Sequence, residues 1–187
     1  LMGTTGEGNS VSAADGILMV ETAVKAAKGR ILIYAGLTGT CFAEQLTQAE
    51  AFTKAGADVI VATLPSYYAL TEEQMYNYYK TLADSITGPL MLYNILATTH
   101  MTIPVDVVRR LADHPNIVGL KDSERDLDRM RECIAISKDR EDFAYFCGWA
   151  AQSAFSLSIG GDGIVPSTGN YVPEMFNDLY EAAVNGD

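Results

Sequence analysis

The sequence predicts a single parallel α/β domain, on three observations. Six short apolar runs recur along the chain at intervals of about 20 to 32 residues, each is followed by an amphipathic helical pattern, and no low-complexity linker interrupts the series. Strands are expected over residues 31–35, 58–64, 89–94, 117–121, 143–148 and 163–166. The helices between them are expected over residues 12–28, 42–55, 71–85, 104–113, 127–137 and 152–159, with a last one over 173–184. Ser12 and Thr71 cap the first and third of these, Thr71 with Glu and Gln in the first turn of its helix. The second stops at Gly56, which suits a left-handed C-cap. The run 117–121 follows Pro115 and reads as a buried strand.

Such a series builds either an open doubly wound sheet or a closed (β/α)8 TIM barrel. A nucleotide-binding doubly wound fold carries glycines at G-x-G-x-x-G spacing after its first strand. The segment Gly3-Thr4-Thr5-Gly6-Glu7-Gly8 is glycine-rich but lacks that spacing. The barrel is therefore the expected fold, with residues 1–187 forming one domain.

Bulk composition narrows the function classes. At 187 residues with 48% hydrophobic content the chain can bury a sizeable core. Its net charge of −11 leaves no basic stripe to neutralise phosphates, so no nucleic-acid partner is expected. Cys41, Cys133 and Cys147 are odd in number and lack metal-type spacing, which reads as free thiols in a reducing compartment. No charged-then-apolar leader is seen, and no apolar run reaches the ~18 residues of a membrane span. The expectation is a cytoplasmic protein with no membrane partner, no metal and no cofactor.

In a barrel, chemistry gathers at the carboxyl ends of the strands. The polar residues there include Thr4 and Thr5, Tyr67 and Tyr68, Tyr93 and Asn94, Lys121 and Asp122, Trp149, and Ser167. Lys121 stands out because it closes the apolar run Asn116-Ile117-Val118-Gly119-Leu120. Burying an ammonium costs several kcal/mol unless it is paired or neutral, and a neutral amine attacks carbonyl carbon to give a Schiff base. The plainer reading is a strand-end lysine paired with Asp122. His100 and His114 look structural or exposed, and Trp149 is open between core and ligand platform.

Several of these residues stand in a familiar order. Gly3-Thr4-Thr5-Gly6-Glu7, Pro65-Ser66-Tyr67-Tyr68, Leu92-Tyr93-Asn94, Gly119-Leu120-Lys121-Asp122 and Gly160-Gly161-Asp162-Gly163-Ile164 follow one another along nearly the whole chain. The chain thereby resembles the dihydrodipicolinate synthase and N-acetylneuraminate lyase family of class I, pyruvate-handling aldolases. The resemblance implies that Lys121 forms an imine with a 2-oxo acid and that Tyr93 relays protons. It implies that Thr4 links Tyr93 to a second tyrosine, at the position of Tyr67, donated by a neighbouring subunit. Thr5 would hold the substrate carboxylate through its hydroxyl and backbone N–H. Val165 would offer its carbonyl to the same pocket. A homo-oligomer, a dimer of dimers, is implied as well.

The chain departs from the family pattern in three places. Thr98 falls where the synthases carry an arginine that grips the second substrate's carboxylate, and a hydroxyl cannot make that bidentate pair. Gly148-Trp149-Ala150-Ala151-Gln152 lacks the acids of the sialic acid lyases. The chain also opens after the position of the family's first strand and stops soon after the eighth helix. A barrel lacking its first strand and C-terminal helices would expose two ladder edges, so a fragment of a longer chain is expected. The reaction expected is carbon–carbon bond making or breaking beside pyruvate or another 2-oxo acid, with an aldehyde as partner. Asp122 and Ser123 favour a 2-keto-3-deoxy sugar acid. The alternatives are dihydrodipicolinate synthesis from pyruvate and aspartate semialdehyde, a dehydratase, and a barrel that binds 2-oxo acids without turnover.

Overall fold

The computed structural model describes residues 1–186. Six strands form one sheet: β1 (Tyr34–Leu37), β2 (Val59–Thr63), β3 (Leu90–Asn94), β4 (Ile117–Asp122), β5 (Ala144–Cys147) and β6 (Gly163–Ile164). Every neighbouring pair is parallel, and the strands lie in the order β1-β2-β3-β4-β5-β6. A doubly wound sheet reverses its strand order at a switch point; this one never does. The helices are α1 (Ala13–Ala27), α2 (Phe42–Lys54), α3 (Glu72–Ser85), α4 (Leu96–Thr99), α5 (Val105–Ala112), α6 (Leu127–Ser137), α7 (Ser153–Ser158) and α8 (Pro173–Asn185).

The sheet curls strongly. Tyr34 on β1 and Phe146 on β5 are four strand spacings apart along the sheet, ~19 Å if it were flat. Their ring centroids are only 6.2 Å apart. Among the described residues the sheet has six strands and β6 pairs only with β5, in keeping with the expected barrel that lacks strands in this chain. Leu1 extends the ladder beyond β1, because its carbonyl accepts the Gly36 N–H at 2.9 Å.

Strand boundaries follow the predicted runs closely, with one shift. Ile31 and Leu32 were expected inside the first strand but are 68% and 63% exposed. The ladder begins later because the Asp58 carboxylate takes the Ile33 N–H at 2.7 Å, which ends pairing upstream. Helix starts obey their caps. Ser12 accepts from Asp15 N–H, and Thr71 with Gln74 forms a reciprocal capping box. Gly56 adopts φ +102° just beyond α2, in the left-handed region that favours glycine. Helix α4 has no counterpart in the sequence reading, since four residues are too few to show periodicity.

Side-chain alternation splits each strand between two environments. The row Ala62, Leu92, Leu120 and Tyr145 shares one face by register and is almost fully buried. It joins Phe52, Tyr79, Leu82, Val108, Leu111 and Met130 of the helices in one core. Each buried Leu, Val, Met or Phe among them contributes about 1.5–3 kcal/mol by burial. The opposite, concave face carries the row Thr63, Tyr93, Lys121 and Phe146. Gly119 lies one layer below, where a Cβ would run into the Ala144 carbonyl oxygen and crowd Met91. Gly119→Ala is therefore expected to lower the urea unfolding midpoint, with a loss of about 1–3 kcal/mol from overpacking.

Cys41 is exposed and Cys133 and Cys147 are buried, all three as free thiols. Among the described residues no helix is long and apolar enough to cross a membrane.

Candidate active site

The concave face opens into a cavity of about 1000 Å³ at the carboxyl ends of the strands. Register places Tyr93 directly beside Lys121 on adjacent strands, both side chains pointing inward. Lys121 Nζ stands 3.9 Å from the centroid of the Tyr93 ring. The Gly3-Thr4-Thr5 turn folds over this pair, and a Cβ built on Gly3 would lie 4.0 Å from the amine. Thr4 Oγ1 is 3.3 Å from Tyr93 Oη, joining turn and strand through their hydroxyls. The turn is held by Glu7 N–H donating to the Thr4 carbonyl at 3.1 Å and Gly8 N–H to Gly3 at 3.3 Å. Gly8 and Gly36 leave room for the Met2 carbonyl, which any side chain there would strike.

Lys121, Tyr93, Thr4, Thr5, Val165 and Thr98 all line this one cavity, as does half-buried Trp149. Tyr67 does not. It is 77% exposed and packs edge-on against Tyr68, ring centroids 4.8 Å apart, outside the cavity wall. His100 is exposed and His114 pairs with Asp84 at 2.9 Å, and neither lines the cavity.

Lys121 is half-buried rather than buried, in the wall of an open trough. The plainer reading, a Lys121–Asp122 pair, is not formed. Alternation sends Asp122 to the opposite face, where it is 2% exposed and meets Arg129 Nε at 2.8 Å. Asn94 Nδ2 donates to Asp122 at 2.9 Å and to Glu124 at 2.8 Å. Arg129 Nη1 donates to the Ile103 carbonyl at 2.7 Å, and Ile103 N–H donates back to Asn94 at 2.9 Å. Burial opposes the Arg129 charge, and Asp122 beside it raises the guanidinium's pKa nonetheless. This buried network clamps the ends of β3 and β4 from behind, one residue from both inward-facing groups. The sequence reading missed it, because a lone arginine on an amphipathic helix looks like a solvated one.

A model of the dihydrodipicolinate synthetase family matches residues 1–187, the whole chain. The chain belongs to that family. The 4-hydroxy-tetrahydrodipicolinate synthase of Laribacter hongkongensis is 34% identical over 186 residues, covering 100% of this chain and 63% of the relative. That of Nitrosomonas eutropha is 35% identical over 188 residues, again 100% of this chain and 63% of the relative. The crystal structure of the chloride-inhibited dihydrodipicolinate synthase of Acinetobacter baumannii, complexed with pyruvate, is 30% identical with TM-score 0.93. It is covered over 63% of its length by the whole of this chain. The chain thus spans about 63% of the family members it matches. The likeness at that TM-score makes the six-stranded sheet part of the family's TIM-barrel fold.

Proposed function

We propose that this chain carries the Schiff-base machinery of a pyruvate-handling lyase or synthase. The observation that supports it most is the Lys121 amine standing 3.9 Å over the Tyr93 ring, with the Thr4 hydroxyl 3.3 Å from the phenol. In this reading Lys121 Nζ attacks the keto carbon of a 2-oxo acid, water leaves, and a protonated imine forms. That imine withdraws electrons, so C3 gives up a proton and becomes an enamine carbon. The enamine adds to an aldehyde carbon, and hydrolysis of the new imine frees both product and amine. Cleavage runs the same steps backwards. A positioned phenol moves the protons, and its hydroxyl partner passes them on. Thr5 holds the carboxylate of the bound acid, Val165 adds its carbonyl, and Thr98 lines the far wall.

The second substrate is read from the relatives. Those named above are 4-hydroxy-tetrahydrodipicolinate synthases, which favours condensation of pyruvate with aspartate semialdehyde over a 2-keto-3-deoxy sugar acid. The sugar-acid reading rested on Asp122 and Ser123, and the burial of Asp122 against Arg129 withdraws half of that support. Exposed Tyr67 and Tyr68 support an interface with a second copy, through which Tyr67 would reach the partner's site.

Borohydride reduction of the intact protein with pyruvate is expected to attach one three-carbon unit to Lys121, located by peptide mass. An unmodified Lys121 would end this reading. Tyr93→Phe keeps the ring and removes only the hydroxyl. It is expected to lower kcat by roughly 10²–10⁴-fold while the thermal midpoint stays near that of the parent.

A further inference from the structure

We propose that Arg125 binds a second anionic group on the substrate, at the end remote from the carbon held by Lys121; this rests on the Schiff-base reading above. The charge census of the cavity points to it. Among the described residues its wall is almost entirely neutral, with Lys121 and Arg125 as the cationic side chains and Glu7 as the one carboxylate. Lys121 is taken up by the imine. Across a protein of net charge −11, an anionic end needs a local cation to settle there.

The loop leaves Arg125 free for this. Its two acidic neighbours are both engaged elsewhere. Glu124 accepts from Asn94 at 2.8 Å and from Thr102 at 2.8 Å. Asp126 caps α6, accepting the N–H groups of Asp128 and Arg129 at 2.9 and 3.0 Å. Arg110, Arg129, Arg131 and Arg140 each pair with a carboxylate, whereas Arg125 makes no hydrogen bond or ion pair among the described residues. Arg109 is also unpaired, but it sits on α5 outside the cavity. The base of the loop is held. Ser123 N–H donates to the Asn94 carbonyl at 2.9 Å, and Glu124 N–H to the Asp122 carboxylate at 2.9 Å. A guanidinium four residues beyond the reacting lysine is thus carried on a fixed stem, with its planar fork open to a carboxylate.

The test uses the imine itself. C3 of a 2-oxo acid is the carbon that bonds to the second substrate, so carbons beyond C3 occupy that substrate's space. In the intact protein, borohydride trapping at Lys121 is measured against concentration for 2-oxoglutarate and 2-oxoadipate. Their singly charged counterparts, 2-oxopentanoate and 2-oxohexanoate, serve as references, with pyruvate as control. At least one dicarboxylic acid is expected to half-saturate Lys121 at roughly tenfold to a hundredfold lower concentration than its counterpart, the scale of a charged hydrogen-bonded pair. Arg125→Gln is expected to erase that preference and leave pyruvate trapping unchanged, and Arg125→Lys to keep part of it. Absence of the preference in the parent, or its survival in Arg125→Gln, overturns the assignment while the Schiff-base reading stands. No adduct even with pyruvate overturns both.

Discussion

Lys121→Ala is expected to lower the rate of the proposed aldol or retro-aldol reaction by on the order of 10⁴-fold or more, the scale of losing a covalent nucleophile. The fold should survive it. Lys121 is half-buried, projects into a cavity and makes no hydrogen bond among the described residues, so its truncation leaves no orphaned partner. Its contact with the Tyr93 ring is worth about 0.5–2 kcal/mol, which bounds the stability change. Activity and stability thus separate: steady-state rates collapse while the denaturation midpoint moves little. A variant that keeps more than a few per cent of the rate would mean that another group attacks the carbonyl. Lys121→Arg is the sharper comparison, since a guanidinium preserves charge and length but is not a nucleophile at neutral pH. It should be as inactive as the alanine variant.

Arg129→Ala has the largest expected effect on stability, about 3–5 kcal/mol, because it breaks a buried ion pair by removing one partner. Asp122, 2% exposed in the parent, is then left with Asn94, the Glu124 N–H and the weak Cys133 thiol contact at 4.0 Å to compensate its charge. The Glu124 carboxylate, 3.7 Å from Arg129 Nε in the parent, loses its neutralising neighbour as well. The Ile103 carbonyl also loses its donor. A urea unfolding curve measures the loss directly. Adding Asp122→Asn to Arg129→Ala removes the stranded charge, so the double variant should recover part of the deficit. A double variant no more stable than Arg129→Ala would show that Arg129 acts through packing rather than charge. Any folded Arg129→Ala protein should also react more slowly, since the clamp fixes the strand ends that present Tyr93 and Lys121.

The split between these two predictions marks how much of the site was legible in the chain. Lys121 was recognisable because an ammonium at the end of an apolar run demands a reason, and Tyr93 and Thr4 because they stand in an ordered motif. Arg129 and Arg125 gave no such signal. One reads as the polar face of a helix and the other as a solvated loop residue, and only a neighbour's position separates the two fates. The plainer Lys121–Asp122 alternative fails for a related reason. Adjacent residues on a strand face opposite sides, so Lys121 and Asp122 were the least able to pair.

Local chemistry, present in any short window of the chain, determined the elements themselves. Apolar runs set six strands, and Ser12, Thr71 and Gly56 set helix ends, because caps and periodicity act over a few residues. Curvature, register and charge pairing belong to the tertiary structure alone. They bring Tyr34 to Phe146 and Asp122 to Arg129 through contacts between segments far apart in sequence, whose energies depend on distances that no single segment contains.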